Sequence, residues 1–234
     1  PGNSYLFSAF SFFVYVVGQF QLLFLSLPYI KFFKPDIVHL QSPHTFLIAI
    51  FSKLIMKSKI VVTFHGGDID RICNNNIFLY FLRRFDCFCY VSDEMIPKIK
   101  HKVPRRIHHI QTNCGVDLEK FININPSQQR KKQILAIGSF RWEKDYPTMI
   151  NAIKKVFLIY NDYELKIIGD GYLKDEIKLI IDKNNLAHRV KLCGIKSREF
   201  IVNEMVNSKL FLLSSISEGM PKVILEARAC SLPI

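Results

Sequence analysis

Residues 134–169, ILAIGSFRWEKDYPTMINAIKKVFLIYNDYELKIIG, decide the fold class. The run Ile134–Gly138 reads as a buried strand, Tyr146–Tyr160 as a helix, and Leu165–Gly169 as a second strand. The alternation continues downstream. Leu173–Asn184 is expected to be a helix, Val190–Cys193 a strand, Glu199–Asn207 a helix, Leu210–Ser214 a strand and Lys222–Ala229 a helix. Apolar strands alternating with helices across short loops imply an α/β fold, with parallel sheets covered by helices.

Upstream, the same grammar is less regular. Ile37–Leu40, Ile60–Phe64, Cys87–Val91 and Arg106–Thr112 read as strands. Thr45–Met56, Ile77–Arg84 and a segment starting at Ser92, which supplies a plausible cap, read as helices. Between the halves, FININPSQQRKK (Phe121–Lys132) is polar, lacks periodicity and reads as a linker. The expected division is therefore 1–126 and 127–234, two Rossmann-like lobes facing across a cleft. Ligands of parallel α/β sheets bind outside the carboxyl ends of the strands. The loops to inspect are thus His65–Asp68, Asn113–Asp117, Gly138–Lys144, Gly169–Gly171, Gly194–Lys196 and Ser214–Pro221.

Composition narrows the chemistry. The chain has 234 residues, 49% apolar, and a formal net charge of +12, which favours anionic partners. Its lysines and arginines are scattered, so phosphorylated small molecules or an acidic membrane face rank above nucleic acid. The six cysteines include no CxxC pair and none stands beside a histidine at ligand spacing, so zinc has no support. Free thiols in strand-like runs suit a reducing cytoplasm. The first thirty residues carry no charge. Tyr5–Val17 and Phe20–Leu27 are long enough in sum to span a bilayer, but Gly18, Gln19, Gln21 and several serines interrupt them. A buried or interface helix ended by Pro28 is the leading reading, and membrane contact its rival.

The segment SSISEGMPKVILEA (Ser214–Ala227) is the most informative in the chain. Pro221 suits the first turn of a helix. The amides around Gly219 and Met220 would then face out of a helix N-terminus, a ready anion site. Glu226 lies within Val223–Ala227, an apolar stretch where a carboxylate needs a partner, and it could accept hydrogen bonds from ribose or sugar hydroxyls. Read alone, Glu218 is a helix-start acid and Glu226 a surface glutamate. Together, the two acids with seven residues between them, and the Gly-x-Pro they enclose, resemble the E-x7-E signature of the retaining GT-B glycosyltransferases of family 4. The resemblance implies that Glu226 binds the nucleotide ribose and that Glu218 lies near the transferred sugar. It also implies that the backbone of Gly219, Met220 and Pro221 contacts the donor.

Other loops extend the resemblance over roughly Pro35–Ile234. GSFRWEKD (Gly138–Asp145) is similar to the family loop whose Arg and Lys hold the donor diphosphate, which nominates Arg141 and Lys144 beside Gly138. The spacing of Arg141 from Gly138 is seen in only part of the family. Gly169-Asp170-Gly171 matches a GxG loop that a plain turn explains equally well. Gly194-Ile195-Lys196 falls where the family's base lies, which nominates Ile195. In the first lobe, TFHGGD resembles the His-Gly loop facing the donor sugar, which makes His65 a catalytic candidate; the plainer reading is a histidine that holds its own loop. Asn113–Asp117 resembles an NGVD-type element with Cys114 inserted.

The resemblance implies transfer of a sugar from a nucleoside-diphosphate sugar to a hydroxyl acceptor with retention. A lipid-linked or surface-polysaccharide precursor at the inner membrane face is the expected acceptor. No DxD-like clamp occurs in a credible place, so neither a metal nor another cofactor is expected. The family's opening strand and closing elements are expected to lie outside the given residues, and the fragment alone is expected to be inactive. The rival readings are a silent sugar-nucleotide or glycan-binding paralogue and a GT-B-shaped sugar-nucleotide epimerase.

Overall fold

A computed structural model describes residues 2–121 and 130–234. The chain divides between Asn113 and Cys114 into two units. The central part of the expected linker, residues 122–129, lies outside the described residues. Its flanks are not linker-like. Phe121 is buried in the core of the second unit, and Lys131 and Lys132 already belong to a strand. Apolar burial thus assigns Phe121, which was placed in the first lobe, to the second unit.

The first unit begins with α1 (Gly2–Phe33), followed by β1 (Ile37–Leu40), α2 (Phe46–Met56), β2 (Lys59–Phe64), α3 (Asp68–Cys73), α4 (Asn76–Leu82), β3 (Cys87–Tyr90), α5 (Ile96–Lys100) and β4 (His108–Gln111). The four strands are parallel and stand in the order β1-β2-β3-β4. Ile60, Val62, Phe64 and Phe88 are fully buried in this sheet, as expected for strands covered on both faces. Helix α4 starts where Asn75 caps it, its side chain accepting from the amides of Ile77 and Phe78. Ser92 does not cap in this way: its side chain makes no capping bond, and a short 3₁₀ turn precedes α5.

Pro28 does not end α1, which runs five residues past it to Phe33. Proline lacks an amide donor, yet one missing bond costs less than breaking a helix that buries Leu23 and Ile30. Among the described side chains of α1, Phe24, Tyr29, Phe32 and Phe33 are exposed. Among the described residues, no helix is long and apolar enough to cross a membrane.

The second unit contains β5 (Lys131–Ile137), α6 (Tyr146–Ile159), β6 (Glu164–Ile168), α7 (Lys174–Lys183), β7 (Val190–Leu192), α8 (Arg198–Asn207), β8 (Ser208–Phe211) and α9 (Lys222–Ala229). Its parallel strands take the order β7-β6-β5-β8. Alternation along β5 splits the core. Ile134 and Ala136 pack with Met149 and Ile177 from α6 and α7, whereas Leu135 packs with Met205 and Ala227 from α8 and α9. The chain proceeds outward from β5 through β6 to β7, then returns to place β8 on the other side of β5. That reversal is the topological switch point where α/β sheets open a crevice. All six cysteines of the chain are free thiols, with Cys89 and Cys230 buried.

Candidate active site in the second unit

The loops that leave β5 and β8 flank the switch point, and they are stitched together. The Ser214 hydroxyl donates to the carbonyls of Lys144 (2.7 Å) and Asp145 (3.0 Å). The Ile216 amide donates to the Glu143 carbonyl at 2.9 Å. These bonds bring the two sequence motifs, some seventy residues apart, onto one surface. Asp145 takes a left-handed conformation (φ 46°) and caps α6 through Thr148 N, turning the chain back and presenting Lys144.

At the centre, the Lys144 ammonium donates to the Glu218 carboxylate in an ion pair whose side chains are 19% and 26% exposed. Ser215 Oγ donates to the same oxygen, Glu218 Oε1, at 2.8 Å. Arg141 is exposed and makes no ion pair among the described residues.

The GxG loop has a structural role. A Cβ on Gly169 (φ 151°) would stand 1.9 Å from the Gly138 carbonyl oxygen, and one on Gly171 would stand 2.6 Å from that of Phe140. The loop after β6 is therefore the floor against which the β5 loop lies, with Phe140 N donating to Asp170 O at 2.9 Å. Gly169 N in turn donates to Gly194 O at 3.0 Å, which ties in the loop after β7 and leaves Ile195 exposed.

Pro221 is the N-cap of α9, immediately before Lys222, with its ring holding φ at −70°. Glu226 lies inside that helix and has the partner its apolar setting demands: Arg198 Nη2 donates to Glu226 Oε1 at 2.9 Å. Arg198 and Ser215 were not legible as site residues. Arg198 opens a helix with no periodic signal, and Ser215 is one serine among several. His65 belongs to the first unit, at the carboxyl end of β2, where Nε2 meets Gln41 Oε1 at 3.3 Å. Nearby, His39 Nε2 meets Thr63 Oγ1 at 2.8 Å. Among the described residues no group of His, Cys, Asp and Glu could hold a metal ion.

This lobe, with its E-x7-E carboxylates at the switch point, matches the family described as glycosyl transferases group 1 over residues 117–234. The chain belongs to that family. Residues 10–120 match the companion description, glycosyltransferase family 4. Among curated relatives of this family, the UDP-Gal:α-D-GlcNAc-diphosphoundecaprenol α-1,3-galactosyltransferase of Escherichia coli is 30% identical over 224 residues, covering 86% of this chain and 57% of the relative. An uncharacterized glycosyltransferase of Methanocaldococcus jannaschii is 26% identical over 186 residues, covering 77% of this chain and 50% of its own length. The chain thus spans about half the length of the curated relatives it matches. Among solved structures, Staphylococcus aureus TarM, in complex with fondaparinux, α-GlcNAc-glycerol and UDP, superposes with a TM-score of 0.73 at 17% identity, covering 90% of this chain and 44% of TarM. Sucrose-phosphate synthase from Thermosynechococcus elongatus gives 0.75 at 16% identity, covering 91% and 58%. At these identities the likeness establishes the GT-B fold.

Proposed function

We propose that the whole protein is a retaining glycosyltransferase that moves a sugar from a nucleoside-diphosphate sugar to a hydroxyl acceptor. The observation that carries this reading is the convergence of Lys144 and Glu218 at the switch point, beside the N-terminus of the helix that holds Glu226. Lys144 and Arg141 neutralise the departing diphosphate together with the amides of Gly219 and Met220, so protein groups alone stabilise the leaving charge. Gly138 and Pro221 let the backbone approach the donor, Ile195 lies against the base, and Glu226 accepts the ribose hydroxyls. The anomeric C–O bond to the diphosphate breaks and the acceptor oxygen bonds to the same face, its proton passing to the departing phosphate. Glu218 contacts the transferred sugar, and His65 remains the catalytic candidate of the first unit. Arrival of the diphosphate draws Lys144 from Glu218, which frees that carboxylate for the sugar.

The acceptor we propose is a lipid-linked or surface-polysaccharide precursor. Relatives named for diphosphoundecaprenol acceptors and for amylovoran biosynthesis support that class. We place the reaction in the cytoplasm at the inner membrane face, where the exposed aromatic residues of α1 next to Lys31 and Lys34 suit anionic headgroups. Full-length protein that ignores anionic liposomes at low salt would remove the membrane part of this reading.

The test of the donor site is thermal-shift screening of the full-length protein against UDP-, GDP- and ADP-sugars, with Glu226→Ala and Lys144→Ala alongside. One donor should raise Tm, and both variants should abolish the rise. No shift with any donor would overturn the reading. Binding without turnover on any acceptor would favour a silent paralogue, and release of an epimer would favour an epimerase.

A further inference from the structure

Arg198 occupies the first position of α8, following the Ser197 cap. A cation there opposes the helix dipole, which favours negative charge at an N-terminus, so helix stability does not account for it. Its surroundings do. The guanidinium donates through Nη2 to Glu226 Oε1 at 2.9 Å and lies over the Phe121 ring, 5.0 Å from the centroid. Phe121 is 1% exposed and held in the core with Ala227, the residue next to Glu226. The Arg198 side chain is 52% exposed and that of Glu226 only 17%. A rigid aromatic face therefore steadies a guanidinium that reaches from the end of the Gly194–Lys196 loop to a sheltered carboxylate. A carboxylate accepts about four hydrogen bonds, so one bond to Arg198 leaves capacity for two hydroxyls.

We propose that Arg198 is a positioning residue. It fixes the Glu226 carboxylate in the orientation that reads the ribose of the donor, and so sets discrimination between ribo- and 2′-deoxyribonucleotides. This rests on the assignment of Glu226 to the ribose given above. Arg198 touches the nucleotide only through Glu226, and Phe121 acts only through Arg198.

The experiment measures Kd by calorimetry on full-length protein, using whichever of UDP, GDP and ADP binds and its 2′-deoxy counterpart. The proteins are wild type, Arg198→Ala, Arg198→Lys, Glu226→Gln, the Arg198→Ala/Glu226→Gln double variant and Phe121→Leu. A hydrogen bond to a charged group is worth at least about tenfold in affinity, so wild type should prefer the ribonucleotide by about that factor. Arg198→Ala should reduce the preference three- to fivefold, with the deoxynucleotide, which keeps its 3′-hydroxyl, weakened less than the ribonucleotide. Arg198→Lys and Phe121→Leu should fall between, and the double variant should lose no more than Glu226→Gln alone. Equal weakening of both nucleotides by Arg198→Ala would mean a purely structural role and overturn the proposal. So would tighter ribonucleotide binding, which would make Arg198 a competitor for the carboxylate. If Glu226→Gln, with Arg198 intact, leaves the preference unchanged, the ribose assignment itself fails, and the proposal with it.

Discussion

Replacing Glu204 tests the polar network buried beneath the sheet of the second unit. Glu204 Oε2 accepts from Lys166 Nζ and from Gln133 Nε2, each at 2.7 Å, and Gln133 also donates to Ser208 Oγ at 2.7 Å. The Lys166 and Glu204 side chains are 16% and 8% exposed. Removing one partner of a buried pair costs about 3–5 kcal/mol. Because Lys166 retains some access to water, Glu204→Leu should cost about 3 kcal/mol, the lower end of that range. For a unit spanning Cys114–Ile234 this corresponds to a Tm fall of roughly 10 °C. Glu204→Gln keeps an acceptor but loses the charge, and should cost about 1–2 kcal/mol.

The pH dependence gives the sharper check. Burial opposes ionisation of Glu204, but the hydrogen bonds from Lys166 and Gln133 and the charges of Lys166 and Lys131 outweigh it, holding the carboxyl below its ordinary value of 4.5. A depressed carboxyl pKa stabilises the fold above the unfolded value, and that contribution is lost as pH falls through the folded one. The gap between wild type and Glu204→Gln should therefore be full at pH 7, begin to shrink below about pH 4.5, and close under stronger acid. Trp142, the single tryptophan, lies in the second unit and reports its unfolding in guanidinium. A neutral Glu204→Gln at pH 7, or a gap that persists undiminished into strong acid, would refute the reasoning.

Three further outcomes are expected. Gly169→Ala should cost at least about 3 kcal/mol, because its Cβ would collide with the Gly138 carbonyl at a positive φ, and donor-induced Tm shifts should weaken with it. Asn75→Ala should cost about 1 kcal/mol by removing a cap bonded to two amides, while Ser92→Ala, whose hydroxyl caps nothing, should change denaturation midpoints by less than about 0.5 kcal/mol. Arg130 donates to the carbonyls of Met205, Ser208, Cys230 and Ser231. A lysine cannot span all four, so Arg130→Lys should lower stability by about 1–3 kcal/mol in the same denaturation assay.

Residue order alone determined the α/β alternation, because apolar strands and the helices between them are set by local periodicity and turn residues. Lys144, Glu218 and Glu226 were nominated by the resemblance of their segments to the family's motifs. The course of α1 through Pro28 was decided by tertiary structure, because the proline's lost hydrogen bond is outweighed by burial along the helix. Phe121 looked like linker because its neighbours are polar, yet core packing claimed it. Pairing of β8 beside β5 brought Ser214 to the Lys144 carbonyl, and packing of α8 beside α9 brought Arg198 to Glu226. Those contacts join residues 28 and 70 positions apart. Local propensity has no reach over such separations, and only the strand order and the packing of helices on it could decide them.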